Sequence, residues 1–156
     1  LGACIIKKTI IFCYSIHHGN TRKIAEAVKE HCDAELVMLP CSDELPVLTK
    51  YELVGFASGI YMSSFGRPII ELINKLNGLD GKDCFTMYTS GSNSDKLDMS
   101  FVRKLERNGV HVVGRFNCRG FDTFGPFKLI GGIRKNHPNT RDIEAAVGFF
   151  ENLILK

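Results

Sequence analysis

Short apolar runs rich in isoleucine, valine and phenylalanine alternate with segments whose apolar residues recur at helical spacing. No other feature constrains the fold of this chain as strongly. The runs are Ile5 or Thr9 to Tyr14, Ala34 to Leu39, Tyr51 to Ala57, Cys84 to Thr89 and Val110 to Cys118. The first is apolar almost throughout, as a strand buried on both faces must be. Between the runs, Thr21 to His31 carries Ile24, Ala25 and Val28 on one helical stripe. Arg67 to Leu76 starts with Pro68 in its first turn and aligns Ile69, Leu72, Ile73 and Leu76. Leu97 to Arg107 aligns Leu97, Phe101 and Leu105 and stops at Gly109, and Asn139 or Thr140 to Ile154 closes the chain. Five strands alternating with helices predict an α/β fold, a parallel sheet covered on both sides. The weak link is Cys41 to Lys50, which has room only for a short or irregular helix. No internal repeat is evident, so residues 1–156 are expected to form a single domain.

Composition narrows the function classes. An apolar fraction of 44% and a charged fraction of 24% suit an ordinary soluble globule, and no window reaches the length of a membrane span. A formal charge of +3 is too mild to require nucleic acid. The six cysteines, at 4, 13, 32, 41, 84 and 118, form no C-x-x-C pair, and Cys13 and Cys84 lie inside strand-like runs. A reduced, cytoplasmic protein is expected rather than a disulfide scaffold. Leu1-Gly2-Ala3-Cys4 loosely matches the box before a lipidated cysteine. With no basic or apolar segment ahead of it and Ile5 to Phe12 entering the first strand directly, it reads as a cloning remnant or a strand start.

Chemistry in an open parallel sheet gathers beyond the carboxyl ends of the strands, where strand order reverses. The polar, glycine-bearing segments fall there: Ser15 to Thr21, Ser58 to Gly66, Thr89 to Ser94 and Arg119 to Pro126. The first is the most specific. Tyr14 to Ala25, reading YSIHHGNTRKIA, takes an apolar strand through a small polar loop straight into an amphipathic helix. Such a loop offers backbone N–H groups and hydroxyls to a phosphate at the positive end of the helix dipole. It has neither the G-x-x-x-x-G-K-S/T pattern of a nucleoside-triphosphate loop nor the G-x-G-x-x-G of a dinucleotide site. The expected ligand is one phosphomonoester held by neutral donors. His17 and His18 sit in the same loop, but no third ligand of suitable spacing accompanies them, so no metal is expected.

YSIHHGNTRKIA resembles the phosphate loop of flavodoxins and flavodoxin-like proteins. Gly55-Phe-Ala-Ser-Gly-Ile-Tyr61 is similar to their second flavin loop and Tyr88-Thr-Ser-Gly91 to their third. Cys118-Arg-Gly-Phe-Asp and Gly131-Gly-Ile-Arg-Lys-Asn-His-Pro138 resemble a short-chain subgroup. The likeness runs from about Thr9 to Leu153, and it implies a five-stranded sheet of order 2-1-3-4-5 that binds FMN.

Carried over residue by residue, the resemblance implies that Ser15, Gly19, Asn20 and Thr21 hold the phosphate. His17 and His18 replace the small residues usual there, and either contact the phosphate or face solvent. Ser58, Gly59, Ile60 and Tyr61 would border the ring. At Gly59 either a peptide flips to accept a hydrogen bond from reduced flavin N5, or the backbone simply approaches the ring closely. Tyr61 is the best aromatic candidate to lie against the flavin, with Phe65, Tyr88, Phe121 and Phe124 as competitors. Thr89, Ser90 and Gly91 would meet the pyrimidine edge. Cys118 ends a strand beside the cleft, as a buried small residue rather than a redox thiol.

The segment from Arg119 to His137 is long for a connection, and it either folds over the flavin or presents a partner surface. It is also basic: from Arg115 to Lys135, five Arg or Lys residues accompany one Asp. Flavodoxins are commonly acidic and dock onto basic partners, so this chain departs from that pattern. The leading expectation is a small electron carrier between redox partner proteins, monomeric or weakly dimeric, with no catalytic residue of its own. The alternative is an FMN-dependent NAD(P)H reductase of quinones or flavins. A receiver domain of similar topology lacks support, because its acidic cluster and phosphoacceptor Asp are missing from the strand ends.

Overall fold

The structure, a computed structural model, describes residues 6–92, 94–123 and 125–155. Leu1-Gly2-Ala3-Cys4, Ile5 and Phe124, all named above, lie outside the described residues. The main elements are β1 (Thr9–Tyr14), α1 (Asn20–Cys32), β2 (Glu35–Met38), β3 (Leu53–Tyr61), β4 (Ser64–Phe65), α2 (Arg67–Leu72), β5 (Asp83–Ser90), α3 (Met99–Arg107), β6 (His111–Arg119) and α4 (Thr140–Ile154). Sheet order is β2-β1-β3-β5-β6 with every neighbouring pair parallel, and β4 pairs only with β3. Setting β4 aside, this is the expected 2-1-3-4-5 order with its reversal at β1/β3.

Alternation along the strands sends side chains to two separate cores. Ile10, Phe12, Val54 and Phe56 pack with Ile69, Leu72, Phe101 and Leu105 on the side of α2 and α3. Ile11, Cys13, Ala57 and Met87 pack with Ile24, Val28, Ala146 and Phe150 on the side of α1 and α4. A two-residue period buried on both faces explains why these strands read as continuous apolar runs. At Gly55 a Cβ would lie 2.3 Å from the Phe85 ring of the neighbouring strand, so the glycine makes room for that aromatic. Each buried core side chain of this size contributes roughly 1.5–3 kcal/mol.

Beyond shifts of one or two residues at several element ends, three features differ from the sequence reading. Residues 58–61, expected in a loop, extend β3, because Ile60 pairs with Phe65 and Tyr61 with Ser64 in an antiparallel hairpin. The two-residue turn between them has Met62 at φ 51° and Ser63 at φ 62°, the type I′ geometry that matches strand twist. Helix α2 ends at Leu72 rather than Leu76; the next turns continue through bonds such as Lys75 N–H to Leu72 O at 2.9 Å. The connection after β6 is not structureless: Gly125–Ile130 forms a 3₁₀ helix, and Asp122 bridges Ile133. As expected, 41–50 holds only one 3₁₀ turn, Leu48–Lys50. The start of α4 is fixed by a capping box in which the Asn139 side chain and Asp142 satisfy each other's backbone amides.

Candidate functional site

The ends of β1, β3, β5 and β6 open into one cleft of about 660 Å³. Its lining includes Ser15, His17, His18, Asn20 and Thr21 from the first loop. Gly59, Ile60 and Tyr61 come from the end of β3, and Thr89, Ser90 and Gly91 from the end of β5. The topology brings these together because β1 and β3 stand side by side at the order reversal while their helices leave to opposite faces.

The first loop enters α1 through two consecutive left-handed residues, His18 at φ 54° and Gly19 at φ 63°. Gly19 takes that conformation without cost, and histidine is among the side chains that tolerate it. Helix α1 begins without a side-chain cap and with no acidic residue in its first turn, so its leading amides and dipole are available to an anion. Asn20 is buried. Its Nδ2 donates to Phe121 O at 2.8 Å, and its Oδ1 is a buried oxygen without a partner among the described residues. Thr21 and Thr89 share a buried hydroxyl contact of 2.8 Å, which ties α1 to β5.

The walls are aromatic. Tyr61 packs on Tyr14 and on the His17 ring, both at 5.4 Å between centroids, and its hydroxyl accepts from Ile16 N–H at 3.1 Å. Burial raises its phenol pKa. A Cβ at Gly59 would lie 2.8 Å from that hydroxyl, so glycine there preserves the cradle between Tyr61 and the strand. On the other side, the His18 ring lies 4.1 Å from that of Phe121, and His18 Nε2 is 3.1 Å from Thr123 Oγ1. Among the competing aromatics, Phe65 and Tyr88 are core residues while Phe121 lines the cleft.

Three expected residues lie elsewhere. Gly19 shapes the turn without lining the cleft. Ser58 is fully buried, its Oγ donating to Gly59 O at 2.7 Å and accepting from Gly66 N–H at 2.9 Å, so it braces the hairpin. Cys118 lines a second, more open groove of about 590 Å³ with Arg119, His137 and Arg141, and burial pushes its thiol up to about 12. A strand's alternation explains this, since one residue along β6 changes the face that a side chain meets.

Met62, Ser63, Ser92, Gly120, Asp122 and Thr123 line the cleft from segments expected there but were not singled out, and Leu97 and Lys128 line it from outside those segments. For 120–128 the signal was the length and glycine content of the connection. For Met62 and Ser63 it was the two-residue spacing between pairing partners, masked because neither is the Asn or Gly such turns favour. Leu97 carried no signal. Lys128 also adds a cation to a lining expected to hold only neutral donors.

The segment between β5 and α3 is braced by side chains of the neighbouring strands β5 and β6. Asp98 is completely buried, bonded by Thr86 Oγ1 at 2.6 Å and by Arg115 Nε at 3.0 Å, and Arg115 also forms an ion pair with its second oxygen. The same guanidinium donates to Asp95 O at 2.6 Å, and Tyr88 Oη donates to Ser94 O at 2.8 Å. These bonds fix the segment that presents Leu97 to the cleft.

Comparison with known proteins agrees with this architecture. A family model described as the Flavodoxin domain matches residues 11–120. An uncharacterized protein of Methanocaldococcus jannaschii is 34% identical over 151 residues, covering 94% of this chain and 98% of its own. A flavodoxin, WrbA-like protein of Agrobacterium tumefaciens superposes with a TM-score of 0.64 at 17% identity, over 94% of this chain and 96% of that one. A flavoprotein of Lactobacillus acidophilus, solved in complex with FMN, superposes with a TM-score of 0.59 at 20% identity, over 71% and 93%.

Proposed function

Because the chain belongs to the flavodoxin-domain family, we propose that it binds FMN in this cleft and carries electrons between redox partner proteins. The observation that carries the reading is the buried, unpartnered Oδ1 of Asn20 beside the uncapped start of α1, at the end of a cleft with aromatic walls. A buried polar atom without a partner costs about 1–3 kcal/mol, so it marks a place where a ligand or water belongs. The donor set suits a phosphate ester: hydroxyls of Ser15 and Thr21 and amides of the first loop. Tyr61 and Phe121 both line the cleft and supply aromatic surface of the kind a flat ring packs against.

In this reading Ser15, Asn20, Thr21 and the loop amides hold the phosphate, with His17 and His18 at its flank. Gly59, Ile60 and Tyr61 border the ring on one side, and Thr89, Ser90 and Gly91 supply backbone groups to its polar edge. When bound, the flavin supplies one- and two-electron transfer. The chain's part is to grip, orient and shield. His18, Phe121 and Thr123 close one flank through their mutual contacts, and Met62 and Lys128 stand at the mouth.

The test is direct. Titrating FMN into purified protein and following flavin fluorescence should give one tight site per chain, with dissociation at micromolar concentration or below. An apoprotein that leaves FMN free at that level would end this reading. Steady-state NAD(P)H oxidation with a quinone as sole acceptor separates the carrier from the reductase; rapid turnover without an added reductase would favour the enzyme.

A further inference from the structure

Exposed large apolar side chains are expensive to leave in water unless something covers them. Among the described residues, four of the eight such side chains fall on segments that line the cleft. Met62 is 89% exposed at the turn after β3, and Leu129 and Ile130 are 89% and 70% exposed on the 3₁₀ helix beside Lys128. Ile16 is 58% exposed in the first loop, between two residues of the cleft lining. Three segments distant in sequence thus contribute apolar groups to one rim. The connection that carries Leu129 and Ile130 also carries the exposed cations Lys128, Arg134 and Lys135, against the single carboxylate of Asp122.

We propose that this rim docks an acidic redox protein, its apolar side chains seating the partner's centre and its cations meeting carboxylates around the edge. The inference rests on the FMN reading for its redox sense, but the surface itself is independent of it. Charge decides the occupant. A second copy placed by a two-fold axis would set Lys128, Arg134 and Lys135 against their own counterparts, a repulsion with little acid to offset it. A membrane is the less suitable partner, because these groups ring a concave opening rather than forming one continuous apolar face. A partner seated here would lie directly over the cleft mouth.

The test uses an acidic [2Fe–2S] ferredoxin and a basic cytochrome c as probes, with anionic phospholipid vesicles and sedimentation of the protein alone as further arms. Binding is measured by calorimetry on the apoprotein and on the FMN-loaded protein. Ferredoxin should bind, and its affinity should fall roughly tenfold as salt rises from about 0.03 M to about 0.3 M. Arg134→Glu with Lys135→Glu should weaken it roughly tenfold and flatten the salt dependence. Leu129→Ser with Ile130→Ser should weaken it at every salt concentration. Neither pair lines the cleft, so FMN uptake, measured in parallel, should be unchanged and certifies the fold. Ferredoxin binding that is absent, insensitive to both pairs, or weaker than that of cytochrome c overturns the proposal. So does a dimer abolished by the Leu129/Ile130 pair, or vesicle binding tighter than ferredoxin binding. Failure to take up FMN with ferredoxin binding intact would sink the flavin reading and leave the docking surface standing.

Discussion

Asn20 does two things with one amide. Its nitrogen ties the first loop to Phe121, and its oxygen is buried without a partner among the described residues. Asn20→Ala removes both, and at about 1–2 kcal/mol for a buried hydrogen bond the FMN dissociation constant should rise roughly tenfold or more. Asn20→Asp should be worse, because it sets a carboxylate beside the expected phosphate; fluorescence titration of both variants checks the order. The cysteines offer a second measurement at this scale. Burial pushes the thiols of Cys13 and Cys118 up to about 12 from an ordinary value of 9.0, and that of Cys84 higher still. Folding therefore favours the protonated thiols, while an unfolded chain ionises them from about pH 9. Their contribution to stability is complete below pH 9 and is lost as pH climbs from there towards 12. Denaturant midpoints should fall between about pH 8.5 and 10.5, and iodoacetamide at pH 8 should label Cys41 well before Cys13 or Cys84. Gly59 and Tyr61 were named from the resemblance of their segment, and both line the cleft. That the Tyr61 hydroxyl would sit on the Ile16 amide was not, because the contact depends on a hairpin formed by later residues.

At the scale of elements, the cleft depends on loops held by strands they do not belong to. Arg115 lies on β6, yet it clamps the approach to α3 through Asp98 and Asp95. Arg115→Ala would leave the fully buried Asp98 carboxylate with Thr86 as its side-chain partner among the described residues, since it does not cap α3. Because the guanidinium is 36% exposed, the loss is placed at about 2 kcal/mol, below the 3–5 kcal/mol of a fully buried pair. Thermal unfolding should come about 4–8 °C lower, with weaker FMN binding from the same variant as the loop loosens. Nothing in the spacing of Thr86, Asp98 and Arg115 along the chain marks them as partners. Helices α1 and α4 were legible from their stripes, and Thr140–Ile154 agrees with the expected span. The hairpin of β3 and β4 was not, because its turn uses Met62 and Ser63 in left-handed geometry that pairing, rather than propensity, imposes.

At the scale of the whole molecule, sign of charge matters most. The formal charge is +3, and five Arg or Lys residues against one Asp occupy Arg115 to Lys135. A positive surround stabilises a flavin that has gained negative charge. The second-electron potential should therefore be less negative than in acidic flavodoxins, and potentiometric titration of the FMN-loaded protein measures it. A second step as negative as theirs would contradict the expectation. No described helix is long and apolar enough to cross a membrane.

Local pattern alone determined the strand order's raw material. Buried runs such as Ile10 to Cys13 and the stripes of α1 and α4 follow from hydrophobic period, which each segment carries within itself. The loop from Ser15 to Thr21 announced an anion for the same reason, since its amides and hydroxyls are contiguous. Only the tertiary structure decided which side of β6 Cys118 would meet, that Lys128 and Phe121 would join the cleft, and that Asp98 would be buried under Arg115. Those outcomes depend on register and on packing between segments up to about a hundred residues apart, and no short window of sequence contains both halves of such a contact.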